Sequence, residues 1–160
     1  MSMHIVLVEP EIPPNTGNIA RSCAATGSIL HLVEPLGFSI EDKSLKRAGL
    51  DYWPFVKLEV HKSLEAFMQR YGVDGDNKTM YLATTKGKYS YAEVAYKDED
   101  MIIFGKETAG LPKEFIAANE EKSVRIPMGV ETNLRSLNLS NSVNIILFES
   151  LRQQDFPTLR

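Results

Sequence analysis

The chain has 160 residues, 43% hydrophobic and 24% charged, and its 18 lysines and arginines against 21 aspartates and glutamates give a net charge of −3. That is room for a single domain, 1–160, with its own core, and the acidic balance argues against broad, charge-driven nucleic-acid binding while allowing a local basic patch. No apolar run is long enough for a bilayer, and Ile5 to Val8 is too short and lacks the basic leader of a signal peptide, so neither membrane insertion nor export is expected.

The lone Cys23, among small apolar residues, rules out an intramolecular disulfide and fits a reducing cytoplasm. The three histidines are scattered, no Cys/His cluster has metal-ligand spacing, and no metal is expected.

In chain order, His4 to Val8 is a continuous apolar run, as in a strand buried on both faces. Glu9 to Pro14 reads as an extended, irregular segment, because each proline biases its predecessor away from helix. A turn is expected at Asn15 to Asn18, then a helix from about Ile19 to Thr26, stopped by Gly27. Ile29 to Val33 is a second strand, Lys43 to Leu50 a short helix, and Val56 to Val60 a strand. Ser63 caps a helix whose stripe is Leu64, Phe67, Met68 and Tyr71, ended by Gly72. Val73 to Lys78 reads as a loop.

Met80 to Thr84 and Met101 to Phe104 are further strands, and Pro112 suits the first position of a helix running to Ala118. A short strand, Val124 to Met128, leads through a polar loop to a last helix with the stripe Leu139, Val143, Ile146, Leu147 and Leu151. Ile145 and Phe148 widen that stripe beyond one face, which points to a subunit interface. Strands alternating with helices indicate an α/β fold with a mostly parallel sheet flanked by helices. Ligands on such sheets lie beyond the carboxyl ends of the strands.

The common nucleotide fingerprints are absent. No G-x-G-x-x-G follows the first strand, and Leu111-Pro112 stands where a P-loop from Gly105 to Gly110 would need Lys-Ser/Thr. Polar, glycine-bearing loops remain at Asn15 to Arg21, Gly105 to Pro112 and Ile126 to Ser142. Ser136, Asn138, Ser140, Asn141 and Ser142 exceed what one helix cap requires and suggest a polar pocket at the strand end.

Asn15-Thr16-Gly17-Asn18-Ile19-Ala20-Arg21, Phe104-Gly105-Lys106-Glu107-Thr108-Ala109-Gly110-Leu111-Pro112, and Ile126-Pro127-Met128 with Ser136-Leu137-Asn138-Leu139-Ser140-Asn141 resemble, in order, the three motifs of the SPOUT RNA 2′-O-ribose methyltransferases. The short chain, the opening Glu9 to Asn18 and Ala48-Gly49-Leu50-Asp51-Tyr52 resemble the group acting on tRNA cytidine or uridine 34. The match covers nearly the whole chain. It implies a C-terminal trefoil knot, a homodimer and S-adenosylmethionine held by the knot loops, with Ala83, Gly105, Ile126, Met128, Ser136 and Leu137 at the cofactor.

The same resemblance makes Arg21 the first candidate at the reacting centre. At helical spacing it points roughly 200 degrees from Ile19. A guanidinium is too weak an acid to serve as a base, so phosphate anchoring and stabilisation of a developing alkoxide are its expected roles. Asn15 and Asn18 would orient the ribose or hold the loop. Glu107 would bind Arg21 across the dimer or cap the Pro112 helix, with site organisation favoured. Ser142 and Asn141 would contact the target ribose or cap the last helix, and Arg135 would meet phosphate.

A basic patch including Lys46 and Arg47, with Lys43, Lys57, His61, Lys62, Lys86 and Lys88, is set against a solvated surface balanced by Glu41 and Asp42. Lys106, Ala109, Phe148 and Glu131 to Leu134 depart from the family's pattern in regions that bear on RNA recognition. The implied activity is 2′-O-methylation of the wobble nucleotide in the tRNA anticodon stem-loop, in leucine tRNAs. Methylation of another tRNA or ribosomal RNA position is the alternative within the class, and a non-catalytic RNA- or cofactor-binding protein the alternative outside it.

Overall fold

Five apolar or buried residues in a row leave no polar face, and His4–Val8 (β1) accordingly lies inside a sheet, buried throughout. The computed structural model describes residues 2–41, 43, 45, 47, 53–72 and 78–160. Its other strands are Ile29–Val33 (β2), Lys57–His61 (β3), Met80–Ala83 (β4), Tyr89–Ser90 (β5), Met101–Phe104 (β6) and Ser123–Arg125 (β7). They form one seven-stranded sheet in the order β3-β2-β1-β6-β4-β7-β5, parallel at every pairing. The α/β reading stands.

Alternation along the strands divides the core in two. Ile5, Leu7, Leu30, Leu32, Ile102 and Phe104 face helices Pro13–Thr26 (α1) and Leu139–Gln153 (α4), meeting Ile19, Cys23, Val143, Ile146, Leu147 and Leu151. Val6, Val8, Val33, Met101 and Ile103 face the other way, against Leu64–Tyr71 (α2) and Lys113–Ala118 (α3). Ser63 caps α2 by accepting from the Ala66 amide at 3.0 Å.

Several expectations change. Glu9 to Ile12 is irregular as expected, but Pro13-Pro14 and the turn expected at Asn15 to Asn18 are the opening of α1, which starts at Pro13. Proline is tolerated in a first turn, where its missing N–H has no helical partner and its φ is already helical. Gly27 ends α1 at φ 70°, the left-handed conformation that glycine adopts freely. Pro112 stands just before α3 rather than inside it. The strand read as Val124 to Met128 stops at Arg125, since Pro127 cannot donate to a ladder. At two residues, β5 is too short to leave a periodic signal. The expected helix at 43–50 and loop at 73–78 fall mostly outside the described residues.

The histidines, read as scattered, meet on the α2 side of the sheet. His4 Nδ1 lies 2.8 Å from His31 Nε2, and His31 Nδ1 lies 3.0 Å from His61 Nε2. Parallel register between strands distant in sequence assembles them. Burial pushes the His31 imidazole down to about 3, helped by His4.

Candidate active site

β6, β4 and β7 are neighbours, so their carboxyl ends discharge three loops side by side: 84–86, 105–112 and 126–138. The first turn of α4 closes the space between them. The result is a cavity of about 400 Å³, within the size range of small-molecule sites. Ala83, Gly105, Ile126, Met128, Ser136 and Leu137 all line it, as do Glu107, Arg135 and Ser142.

Loop 105–112 folds on itself. Lys106 and Gly110 form an antiparallel bridge, the Gly110 amide donating to the Lys106 carbonyl at 2.9 Å. A Cβ on Gly105 would stand 2.1 Å from the Gly110 carbonyl carbon and 2.2 Å from the Leu111 nitrogen. Only glycine permits that backbone approach, and the cavity edge is therefore main chain.

Glu107 accepts from the Glu11 amide at 2.8 Å and the Ile12 amide at 3.2 Å. In return Glu11 accepts from the Thr108 amide at 3.0 Å and hydroxyl at 2.7 Å. The Thr108 hydroxyl and then its amide hold the Glu11 carboxyl below the usual range. This clasp joins the exit of β1 to loop 105–112. The contacts of Glu107 described within the chain are to the Glu11 and Ile12 amides, as a residue holding the loop in place would make.

A second link runs between α1 and α4. Asn138 Nδ2 donates to Asn15 Oδ1 at 3.1 Å, while Asn138 Oδ1 accepts from the Ser140 amide at 2.9 Å, the Ser140 hydroxyl at 2.6 Å and the Asn141 amide at 3.3 Å. Asn138 is thus both the cap of α4 and the tie to the first turn of α1, a second role that sequence reading missed. Its place in the dense Ser/Asn run was the available signal. Beside Asn15, Thr16 is fully buried, and its hydroxyl meets no partner among the described residues. The Ser142 hydroxyl donates to the Asn138 carbonyl four residues back at 3.1 Å, a back-bond within the helix rather than a cap, while Ser142 lines the cavity.

Arg21 and Asn18 are exposed on α1 and do not line their own chain's cavity. Arg47 is exposed away from it, and Lys46 lies outside the described residues. His61 is buried and leaves the basic patch, Lys88 pairs with Glu121 at 2.5 Å, and Lys86 joins the cavity wall.

The model of the SpoU rRNA methylase family matches residues 2–148. The chain belongs to that family. Membership implies the trefoil knot and S-adenosylmethionine as methyl donor. A tRNA (cytidine(34)-2′-O)-methyltransferase of Methylovorus glucosotrophus is 50% identical over 153 residues, 95% of this chain and 96% of that protein. A solved structure described as giving insight into 2-OH methylation of C/U34 on tRNA superposes with a TM-score of 0.88 at 40% identity, over 96% of this chain and 97% of the other. An AdoMet-bound rRNA methyltransferase from Sinorhizobium meliloti superposes at 0.81 with 25% identity, over 94% of this chain and 56% of that one.

The cavity fits such a cofactor. Ile126, Met128, Leu137, Leu139 and Ile146 supply apolar wall for an adenine ring. The main chain that Gly105 brings to the rim supplies polar groups for ribose and amino-acid portions.

Proposed function

We propose that this chain is a cytoplasmic, homodimeric, S-adenosylmethionine-dependent methyltransferase acting on the ribose 2′-OH of the wobble nucleotide, cytidine or modified uridine 34, in tRNA, with leucine tRNAs as substrates. The observation that carries it is the convergence of Ala83, Gly105, Ile126, Met128, Ser136 and Leu137, drawn from the end of β4 and two loops, on one cavity. The substrate rests on the activity for which the 50% identical relative from Methylovorus glucosotrophus is named. The 160 residues act as one domain.

The cofactor, when bound, supplies an electrophilic methyl group on a sulfonium. The chain must hold that group in line with the ribose oxygen, which is what a preformed cavity achieves. Gly105, Ile126 and Met128 fix the donor's position, and Ser136 and Leu137 close over it. Glu107 keeps loop 105–112 against the exit of β1. Asn15, held by Asn138, orients the ribose from the start of α1.

Arg21 binds phosphate and stabilises the alkoxide as the hydroxyl proton passes to water and the methyl group moves from sulfonium sulfur to the ribose oxygen, leaving the thioether. Because it stands outside its own cavity, it serves the cavity of the second protomer. Leu137 and Phe148 are 39% and 44% exposed, and together with Ile12 they give α4 and its surroundings an apolar surface for that partner. Ser142 and Asn141 at the start of α4 lie nearest the nucleotide. Arg135, Asn18, Lys46 and Arg47 supply charge for RNA, which an acidic chain needs locally.

The test is methyl transfer from labelled S-adenosylmethionine to tRNA from a strain lacking the enzyme, with the modified nucleotide mapped. Label at position 34 of leucine tRNAs is expected. Arg21→Ala should lower kcat at least 100-fold with cofactor affinity unchanged. Label at another position gives the substrate to a different RNA site, and cofactor binding without transfer to any RNA leaves a binding protein.

A further inference from the structure

A second polar cluster lies across the sheet from the cavity. His31 faces Glu59 in the β2–β3 register, and His61 follows two residues later on the same face of β3. His31 Nδ1 lies 3.0 Å from His61 Nε2 and 3.2 Å from Glu59 Oε2, and the last two atoms are 3.8 Å apart. These edges average about 3.3 Å. Ligands bound tetrahedrally at about 2.0–2.1 Å from zinc stand roughly 3.3–3.4 Å from one another. The triangle has the size of one face of that tetrahedron.

Hydrogen-bond accounting fixes which ring nitrogen of His31 is available there. His4 Nε2–H donates to Glu99 Oε2 at 2.8 Å, which leaves His4 Nδ1 to accept from His31 Nε2–H at 2.8 Å. A neutral His31 then carries its lone pair on Nδ1, which accepts from His61 Nε2–H at 3.0 Å when no cation is bound and lies 3.2 Å from Glu59 Oε2. A cation taking the place of that proton, with His61 in its other tautomer, would face the lone pairs of His31 Nδ1, His61 Nε2 and Glu59 Oε2 together. The outer contacts suit a metal centre. The relay from His31 through His4 to Glu99 fixes the tautomer of a ligating imidazole. Tyr71 donates to Glu59 Oε2 at 2.5 Å, and Arg70 reaches Oε1 at 3.4 Å. Phe67 and Tyr71 roof the His31 and His61 rings edge-on. The Glu59 side chain is 33% exposed, which leaves a fourth position open to water.

We propose that His31 Nδ1, His61 Nε2 and Glu59 Oε2 form a binding site for a zinc-class divalent cation, with water as the fourth ligand. It shares no residue with the cavity and does not depend on the proposed activity.

The test uses the full chain, treated with chelator and then dialysed, and titrated with Co2+ as a spectroscopic probe. One equivalent should bind with the visible absorption of a four-coordinate site, and one equivalent of Zn2+ should displace it. Glu59→Gln and His61→Ala should each weaken binding more than tenfold. Tyr71→Phe, which keeps the ring and loses only the hydroxyl that positions Glu59, should weaken it about tenfold, and it decides the matter if either of the others fails to fold. Absence of saturable Co2+ binding means a network bridged by protons alone and overturns the proposal. So does binding that is unchanged in the Tyr71→Phe and Glu59→Gln chains.

Discussion

Asn138 shows how one side chain can hold two functions that mutagenesis can separate. Its carboxamide oxygen satisfies amides in the first turn of α4, and its nitrogen reaches Asn15 on α1. Asn138→Ala removes both and should destabilise the fold by about 1–2 kcal/mol, a fall in Tm of roughly 3–6 °C. Asn138→Ser still caps the helix but is too short to reach Asn15. It should recover most of the Tm, while methyl transfer, measured at saturating cofactor, stays depressed. Equal recovery of both would reduce the Asn15 contact to a bystander. The run of Ser and Asn before α4 made a cap legible in the sequence. The second partner was not legible, because Asn15 is 123 positions away and only the packing of α1 on α4 brings it near.

At the scale of elements, β2, β3 and α2 enclose imidazoles in their neutral form. Burial first and His4 second lower His31 to about 3, with His61 and Arg70 adding to the effect and Glu59 opposing it. Burial also lowers His61. The unfolded chain takes up these protons near 6.5 and the folded chain does not. Stability is therefore full above about pH 6.5 and falls as pH drops toward 3. Urea midpoints of the metal-free chain should decline between pH 7 and pH 5, by at most about 2 kcal/mol from His31. A His31→Gln chain should show a shallower decline, and an identical slope would place the acid sensitivity elsewhere. Sequence gave no warning of this cluster. Histidines at 4, 31 and 61 carry no spacing signal, and a staircase over three parallel strands appears only once their register is set. Strands with continuous apolar runs, β1 and β6, were legible to the residue, since burial on both faces admits little else.

For the whole molecule, the question is where the apolar surface beside α4 goes. Val143, Ile146, Leu147 and Leu151 are spent on the core, yet Phe148 is 44% exposed on the same helix. If the proposed homodimer forms through this surface, Phe148→Lys should leave a monomer in sedimentation experiments and abolish tRNA methylation. Cofactor binding should survive within about threefold, since Phe148 is not among the residues that line the cavity. A stable dimer in this variant would move the interface off α4. Composition and periodicity reached the α/β class. They did not reach the cavity residues, which came from the resemblance of three loops to a family, because main chain and apolar walls leave few distinctive side chains to read.

The sheet order has a consequence for how the protein is made. β1 sits near the centre and takes β6, almost a hundred residues later, as one of its two partners. A nascent chain emerging from the ribosome can pair β1 only with β2 until Phe104 is out, and the other edge of β1 stays exposed through most of synthesis. Parallel pairings over such separations are slow to form. Refolding from denaturant should accordingly lag behind that of a hairpin-built protein of equal length.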